Sequence, residues 1–339
     1  MKILIVRLSA IGDVVHALPA LNALRTEFPD ARIDWLVEEL YSNILLDHPQ
    51  LNYICVFQKK WRKKFFQNFS GKILPFYKRL RSVKYDWAID FQGLTKSGVA
   101  AWFTGARKII GFGDRDGREL NKLFTNCKIH PPQNVHVIKK NLSLLQPFGI
   151  EDPELKFVFP SFEKEKKRFA SLGNFMAVNP GAGWITKRLT ISTLAETCAE
   201  ISKWKKRKFI ITWGPGEEEM SEELREKITG NGGEAELAPP TNLRELCALI
   251  SRSDFFFGGD TGPTHIAAAM GIPTLSFFGA SDPHRNGPYG PRTAVFQKTD
   301  LPCVPCWKTE CPLKGNQYLQ CIRQITAENL LERAEDVLQ

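Results

Sequence analysis

The segment FGGDTGPTH at 257–265 concentrates the groups of this sequence best suited to hold a ligand. An apolar run at 255–257 leads into two glycines and Asp260, and a helix-like run follows the turn at Gly262. The free N–H groups and the dipole of a helix N-terminus both favour a bound anion. Because Asp260 and His265 flank this turn, we expect a site for an anionic group carried on a nucleotide.

Two other turns in the second half follow predicted strands and carry charged residues. Lys187 lies shortly after the turn NPGAG at 179–183, where it could neutralise a diphosphate leaving group or be a surface lysine beside Arg188. Glu217 and Glu218 follow the turn WGPG at 213–216. They could accept hydrogen bonds from ribose hydroxyls, act as acids at a helix N-terminus, or do both.

Asp13 is the candidate catalytic group of the first half. It stands in the first turn of the first predicted helix, directly after a strand, where an acid interacts favourably with the helix dipole. The dipole does not explain the neighbouring Gly12, which lets another molecule approach the backbone closely. In a two-domain enzyme, Asp13 could act as general base toward a sugar hydroxyl.

Four cysteines near the end of the sequence form the pattern CxxC-x4-C-x9-C: Cys303, Cys306, Cys311 and Cys321. Thiols this close together could hold zinc in a closed structural site. The trailing spacing matches no common zinc or ferredoxin pattern, so disulfides and plain thiols stay open as alternatives. A catalytic metal is not expected, because no histidine or carboxylate joins the cluster.

The net charge of +9 comes entirely from the first half of the chain. Residues 1–160 hold 24 lysines and arginines against 15 acids, whereas residues 161–339 hold 22 of each. The segment 59–84, here called the basic block, has ten basic residues and no acid. Such a block attracts nucleic acid, an anionic membrane surface or a phosphorylated substrate, or it is a solvated helix face. Its aromatic residues, among them Trp61, Phe76 and Tyr77, favour a membrane-facing segment.

Size and composition narrow the class of protein. A chain of 339 residues suits two domains, and no apolar run approaches the roughly 20 residues needed to span a bilayer. The N-terminus is charged too early for a signal peptide, so we expect a cytoplasmic protein whose cysteines are mostly thiols. Neither GxGxxG nor a P-loop is present, and nicotinamide and Walker-type chemistry therefore lack their fingerprints.

Strands and helices alternate along both halves. Residues 2–8 predict a strand, residues 14–28 a helix and residues 32–37 the next strand, which together make a βαβ unit. The same alternation restarts at residue 175 after a polar stretch. It predicts two α/β, Rossmann-like domains that face each other across a cleft. Their expected bounds are 1–160 for the first domain, 170–322 for the second domain, and 323–339 for a final helix returning toward the first domain.

These blocks together resemble the bacterial lipopolysaccharide heptosyltransferases, glycosyltransferase family 9. Residues 2–13, the segment 179–187 and the segment 260–265 are similar to the three motifs of that family. The sequences KKWRK at 59–63 and YDWAIDFQGLTKS at 85–97 resemble its heptosyltransferase I subfamily. The resemblance covers nearly the whole chain.

The resemblance implies a GT-B fold and an inverting transfer of heptose from ADP-heptose to Kdo of the lipid A inner core. The transfer reaction would take place at the cytoplasmic face of the inner membrane and would require no metal for catalysis. It implies that Asp13 is the catalytic base and that Lys187 and Asp260 are catalytic and donor residues. It also implies donor contacts by Ala182, Gly183, Glu217 or Glu218, Thr261, Gly262 and His265, and acceptor contacts by Lys59, Lys60, Arg62, Lys63 and Arg118.

Alternative functions stay open at this point. Leu189 stands where the family usually has an aromatic residue, and the cysteine pattern looks more like heptosyltransferase II, which adds the second heptose. A non-catalytic nucleotide-sugar-binding protein would use the same donor residues. A nucleic-acid-binding protein would use the basic block, although no known nucleic-acid module surrounds that block.

Overall fold

The computed structural model describes residues 1–63, 65–113 and 116–339, and the side chains of these residues except those at 62, 63, 65 and 66. The chain divides into two compact units, Met1–Ser161 and Phe162–Gln339. The side chains of Arg62 and Lys63, which are predicted to contact the acceptor, lie outside the described part. No helix in the described ranges is long and apolar enough to cross a membrane.

The first unit is built on a parallel sheet of six strands in the order β3-β2-β1-β4-β5-β6. The strands are β1 Lys2–Val6, β2 Arg32–Glu38, β3 Tyr53–Phe57, β4 Trp87–Asp90, β5 Lys108–Phe112 and β6 Cys127–Ile129. The helices are α1 Ile11–Val15, α2 Leu18–Glu27, α3 Glu39–Ser42, α4 Lys59–Lys63, α5 Phe65–Asn68, α6 Leu74–Val83, α7 Thr95–Phe103 and α8 Val137–Ser143. A π-helical turn, Phe69–Ile73, and 3₁₀ turns at Asn121–Leu123 and Gln146–Phe148 complete the described elements.

The second unit repeats the plan with a parallel sheet in the order β12-β11-β10-β7-β8-β9. Its strands are β7 Met176–Asn179, β8 Phe209–Ile211, β9 Ala235–Leu237, β10 Phe256–Gly259, β11 Thr274–Phe278 and β12 Thr293–Gln297. Its helices are α9 Glu163–Lys166, α10 Ile191–Lys205, α11 Glu218–Gly230, α12 Leu243–Ile250, α13 Gly262–Ala269, α14 Pro283–Asn286, α15 Gln320–Arg323 and α16 Ala327–Leu338. The 3₁₀ turns are Lys167–Leu172, Ile185–Lys187 and Gly315–Gln317.

Both sheets have the strand order of the Rossmann fold, because counting from the first strand of each unit gives 3-2-1-4-5-6. The central strands β1 and β10 are buried on both faces, as expected when helices cover both sides of a parallel sheet. Ligands of such sheets bind beyond the carboxyl ends of the strands, near the point where the strand order reverses. In the first unit that point lies between β1 and β4, and in the second between β7 and β10.

The C-terminal helix corrects one expectation. Helix α16 packs on α10, β11 and β12 of the second unit, and Leu330, Ala334 and Val337 belong to the core of that unit. The sequence predicted that this helix returns toward the first domain, whereas the structure places it in the second unit. Its apolar residues follow a helical spacing, so one face completes the second core while the acidic face stays in solvent.

The helix predicted over residues 14–28 is two helices, α1 and α2. Pro19 lies in the first turn of α2, which its fixed backbone angle suits. In the interior of a continuous helix, the same proline would remove a hydrogen bond and clash with the preceding turn. The chain is therefore broken after Val15, and Asp13 lies on a helix of only five residues.

The aromatic residues of the basic block also correct an expectation. Phe76 and Tyr77 are buried in the core of the first unit, and Trp61 packs edge-to-face on Phe57 and Phe76. These described rings stabilise the unit, so they do not form a membrane-facing surface. The basic side chains of the same segment that the structure describes are exposed, among them Lys59, Lys60, Lys72, Lys78 and Arg79.

Candidate functional site

A cavity of about 330 Å³ opens at the carboxyl ends of β7, β8 and β10 in the second unit. Its lining comes from the three turns that the sequence singled out and from Leu246 of α12: Asn179, Gly181, Ala182, Gly183, Trp184, Lys187, Thr212, Trp213, Gly214, Glu217, Leu246, Asp260, Thr261, Gly262 and Pro263. The structure therefore brings together the turn after each strand, as parallel topology requires.

Asp260 is the polar centre of this cavity and is 7% exposed. Its Oδ2 lies 2.6 Å from Lys187 Nζ and accepts a 2.6 Å hydrogen bond from the Ser281 hydroxyl. Its Oδ1 lies 3.1 Å from His265 Nε2. Burial alone would raise the pKa of Asp260, but the hydrogen bond from His265 and the charges of His265 and Lys187 hold it well below its usual range. The carboxylate is thus ionised, and Nε2 of His265 donates to it.

Lys187 reaches the cavity from the 3₁₀ turn Ile185–Lys187. Its ammonium lies 4.4 Å from the ring centroid of Trp184, within cation–π range. The next residue, Arg188, donates a 2.7 Å hydrogen bond from Nε to the Ala182 carbonyl, which ties the turn at 179–183 to the lysine. Lys187 is therefore a fixed cation at the cavity wall and not a free surface lysine.

The N-terminus of α13 forms another wall. Thr261 is the N-cap residue in extended conformation, and Pro263 lies in the first turn. Thr264 donates a 2.6 Å hydrogen bond from its hydroxyl to the Gly259 carbonyl, which fixes the start of the helix relative to β10. The first N–H groups of a helix have no intrahelical acceptor, so this end offers donors and a positive dipole to the cavity.

The structure separates the two glutamates that the sequence left as alternatives. Glu217 lines the cavity, and its Oε2 accepts a 2.9 Å hydrogen bond from the Gly214 N–H. A Cβ at Gly181 would lie 2.1 Å from Glu217 Oε1, so this carboxylate rests directly on the glycine of the neighbouring turn. Glu218 is exposed and lines a different, acidic hollow on α11. The geometry thus assigns the cavity acid to Glu217.

Ser281, a hydrogen-bond partner of the cavity residue Asp260, is a residue that the sequence reasoning missed. It follows β11, the strand next to β10, and is fully buried against Asp260. The turn GASD at 279–282 is a fourth small-residue turn at a strand end, and this signal could have indicated it. Asn179 was also not singled out as an individual residue, and its amide donates to the carbonyl and hydroxyl of Thr212, joining β7 to β8.

In the first unit, Asp13 lies beyond the carboxyl end of β1. Its Oδ1 is 2.5 Å from Nη2 of the buried Arg7, and its Oδ2 accepts a 3.1 Å hydrogen bond from the Ala10 N–H. Arg7 also donates to the Phe91 carbonyl at the end of β4. The Asp13 side chain is 42% exposed, so the carboxylate is held from behind and open to solvent in front.

The described residues of the predicted acceptor set are solvent-exposed. Lys59 and Lys60 begin helix α4, and Arg118 follows the described residue Gly117 with its N–H bonded to the Gly93 carbonyl at 2.8 Å. Exposed, flexible cations of this kind suit a large anionic partner better than a small enclosed ligand.

The eight cysteines are free thiols. In the described ranges, no three residues among His, Cys, Asp and Glu are arranged to hold a metal ion. Burial raises the pKa of the Cys321 thiol to about 11, with further contributions from Cys306, Cys303 and Cys311 nearby. The cysteine segment is tied to the turn that carries Lys187, because the Thr186 hydroxyl donates a 2.7 Å hydrogen bond to the Lys308 carbonyl.

Comparison with known proteins adds to this geometry. A family model described as glycosyltransferase family 9 (heptosyltransferase) matches residues 73–317. The chain is 31% identical over 319 residues to lipopolysaccharide heptosyltransferase 1 of Pseudomonas aeruginosa, covering 92% of this chain and 87% of that protein.

Solved structures show the same fold. The E. coli heptosyltransferase WaaC with ADP superposes with a TM-score of 0.80 at 23% identity and covers 99% of both chains. E. coli ADP-heptose lps heptosyltransferase II gives a TM-score of 0.77 at 20% identity, covering 100% of this chain and 98% of that one. Two Rossmann-like units with these neighbours confirm the predicted GT-B class.

Proposed function

The chain belongs to glycosyltransferase family 9, the heptosyltransferases, and from this membership we propose that it transfers heptose from ADP-heptose to Kdo of the lipid A inner core, as heptosyltransferase I. The single observation that carries the proposal is the cavity of the second unit. Lys187, the N-terminus of α13 and the carboxylate of Glu217 converge there at the carboxyl ends of three strands.

The donor would occupy this cavity. The diphosphate suits the N-terminus of α13 and the ammonium of Lys187, since both carry positive charge that is already in place. Glu217 suits the nucleoside end, because a carboxylate accepts hydrogen bonds from both hydroxyls of a ribose. Asp260 serves as a positioning residue: three donors converge on its two oxygens, and it holds Lys187 and His265 in orientation.

The chemical step would need a base and a stabilised leaving group. Asp13 takes the proton from the acceptor hydroxyl, whose oxygen forms the new bond to the anomeric carbon as the bond to the diphosphate breaks. Attack on the face opposite ADP inverts the configuration at that carbon. Lys187 and the helix dipole stabilise the charge that develops on the leaving ADP. The arginine behind Asp13 keeps the carboxylate directed toward solvent, where an acceptor can reach it.

The acceptor would be large and anionic. Phosphorylated Kdo–lipid A carries several negative charges, and the exposed residues Lys59, Lys60 and Arg118 complement them. We place the enzyme at the cytoplasmic face of the inner membrane, where the acceptor lipid is presented. The charge of the first unit supports this placement.

The test is incubation with ADP-heptose and either Kdo–lipid A or the same acceptor already carrying one heptose, with ADP release as the readout. Heptosyltransferase I requires release with the first acceptor only. Release with the second acceptor alone would identify heptosyltransferase II. Binding of ADP-heptose without acceptor-dependent release would identify a nucleotide-sugar-binding protein and overturn the enzyme assignment. A salt-titrated filter-binding assay with nucleic acid checks the remaining alternative.

A further inference from the structure

A second polar cluster lies at the carboxyl edge of the first sheet, beside the Asp13–Arg7 pair. Ser9 follows β1, Glu38 ends β2, Gln92 follows β4, and Lys96 lies in the first turn of α7. None of these four residues belongs to the predicted site. Their hydrogen bonds nevertheless determine what the Ser9 hydroxyl can do.

The orientation of the Gln92 amide is fixed first. Its Oε1 accepts a 3.0 Å hydrogen bond from the Leu8 N–H, so its Nε2 is the atom that donates to Ser9 Oγ, at 3.2 Å. An amide nitrogen donates and does not accept. One acceptor position of the Ser9 oxygen is therefore taken.

The other acceptor position is taken by Lys96, whose Nζ lies 2.9 Å from the same oxygen. An ammonium also donates only. Because a serine oxygen has two lone pairs, both are now used, and its own hydrogen must be given to an acceptor. Among the described residues no atom accepts that hydrogen, and Ser9 is only partly buried. The hydroxyl is thus set to donate to a ligand.

Lys96 is available to the same ligand. Its ammonium also lies 3.2 Å from Glu38 Oε1, and the lysine side chain is 35% exposed. The Glu38 side chain is only 12% exposed, so it holds the ammonium in place, and the third hydrogen of the ammonium can be donated to a ligand. Ser9 and Lys96 therefore present two adjacent donors, one of them charged, at the edge of the sheet.

Ser9 lies on the loop between β1 and α1, the helix that carries Asp13. The loop is short, and the Ala10 N–H holds the Asp13 carboxylate at 3.1 Å. A ligand group bound by Ser9 is consequently only a few residues of backbone away from the carboxylate. A two-donor site next to a base fits a sugar that bears both an acid group and a nucleophilic hydroxyl.

We propose that Ser9 and Lys96 form a subsite for the carboxylate of the acceptor sugar, and that this contact aligns the acceptor hydroxyl with Asp13. The inference rests on the proposed function, since Kdo is a sugar acid. Gln92 and Glu38 are positioning residues: Gln92 directs the Ser9 hydrogen outward, and Glu38 holds the ammonium over the loop. The site selects acidic sugars over neutral ones, because a neutral sugar has no charge for Lys96 to meet.

The test compares three acceptors: Kdo–lipid A, its Kdo methyl ester, and Kdo–lipid A without the lipid A phosphates. We expect Lys96→Met and Ser9→Ala each to raise the KM for Kdo–lipid A about tenfold, leaving the KM for ADP-heptose unchanged. On the methyl ester the wild-type enzyme and both variants should have the same KM. Lys96→Arg should retain most of the acceptor affinity. Lys128→Met is the matched control, since that lysine is exposed on the edge strand β6.

Two outcomes would overturn the subsite. One is an equal loss for Lys96→Met on the acid and on the ester, which indicates a structural role. The other is a loss seen only with acceptors that carry the lipid A phosphates, which assigns Lys96 to phosphate. Failure of the proposed function is distinguishable from both, because the wild-type enzyme would then not transfer heptose to any of the three acceptors.

Discussion

The Lys187 ammonium and the Asp260 carboxylate, 2.6 Å apart, form a largely buried ion pair at the wall of the cavity in the second unit. The two residues come from different strand ends, so the pair joins the turn after β7 to the turn after β10. A buried charge whose partner is removed is left without compensation, at a cost of about 3–5 kcal/mol. Removal of either residue should therefore both destabilise the second unit and disturb the wall of its cavity.

The first prediction concerns pH. Folding lowers the pKa of Asp260. In the unfolded chain this carboxylate therefore binds a proton near pH 4, whereas in the native protein it does so only at a lower pH. The stabilisation is fully present above that range and is lost progressively as pH falls toward the native pKa. The free energy of unfolding of the wild-type protein, measured by urea titration from pH 7 to pH 3, should fall more steeply than that of Asp260→Asn. Asp300→Asn, a change in an exposed pair, serves as control. Parallel curves for wild type and Asp260→Asn would contradict the assignment.

The second prediction concerns the base. Asp13→Asn keeps the size of the side chain and can keep one of the two hydrogen bonds, from Arg7 or from the Ala10 N–H, because only its amide oxygen accepts; it cannot take a proton. We expect kcat to fall by about 10²–10⁴, the range typical of a lost general base. The Kd for ADP-heptose, measured by calorimetry, should stay within about twofold. Normal turnover in this variant would rule out the base assignment.

The third prediction uses the two adjacent glutamates as a matched pair. Glu217→Gln removes the charge at the cavity wall and should weaken ADP binding about tenfold, the effect of one charge-assisted hydrogen bond. Glu218→Gln makes the same change one residue along, on an exposed side chain, and should leave the Kd unchanged. Equal effects of the two substitutions on ADP affinity would contradict the assignment of Glu217 as the residue that contacts the nucleoside.

The fourth prediction concerns Gly181. A Cβ here would lie 2.1 Å from Glu217 Oε1, so Gly181→Ala must displace that carboxylate. We expect a loss of ADP affinity similar to that of Glu217→Gln. The double variant should be little worse than either single one, since both act on the same contact. Gly230→Ala is the control, because nothing lies within 4 Å of a Cβ at that glycine. Simple additivity in ADP affinity would argue against the shared contact.

The fifth prediction concerns the exposed cations of the first unit. Replacing Lys59, Lys60, Arg62 and Lys63 together by Gln should raise the KM for Kdo–lipid A at least tenfold and leave that for ADP-heptose nearly unchanged. The matched control removes four other exposed charges of that unit: Lys72, Lys78, Arg79 and Lys128. If the acceptor KM rises equally in the two quadruple variants, long-range charge and not a local site is responsible.

Most of the central fold could be predicted from the sequence. The inner strands are buried on both faces and read as apolar runs, so the segments predicted at 2–8 and 32–37 match β1 and β2 to within about two residues. The strands that the sequence did not indicate are β3, β6, β9 and β12, and these are the edges of the two sheets. These edge strands are partly exposed, so their apolar runs are interrupted and their sequence signal is weak.

The site was predictable to the level of the loop and not of the side chain. The three turns of the second unit converge as expected, because parallel topology places strand ends together. The choice between Glu217 and Glu218 depends on which carboxylate accepts the hydrogen bond from the Gly214 N–H, and the sequence does not show this. Ser281 follows the neighbouring strand β11, so its hydrogen bond to Asp260 is visible only in the folded sheet. In the basic block, the amphipathic pattern predicts that the aromatic rings share one face. It does not predict whether that face packs in the core of the unit, as the structure shows, or contacts a membrane.

The lining of the cavity in the second unit is drawn wholly from residues after 162, and the Asp13 cluster wholly from residues before that point. A substitution in one half of the gene therefore leaves the residues of the other cluster unchanged. In evolutionary terms, each of the two polar clusters can change under its own selection.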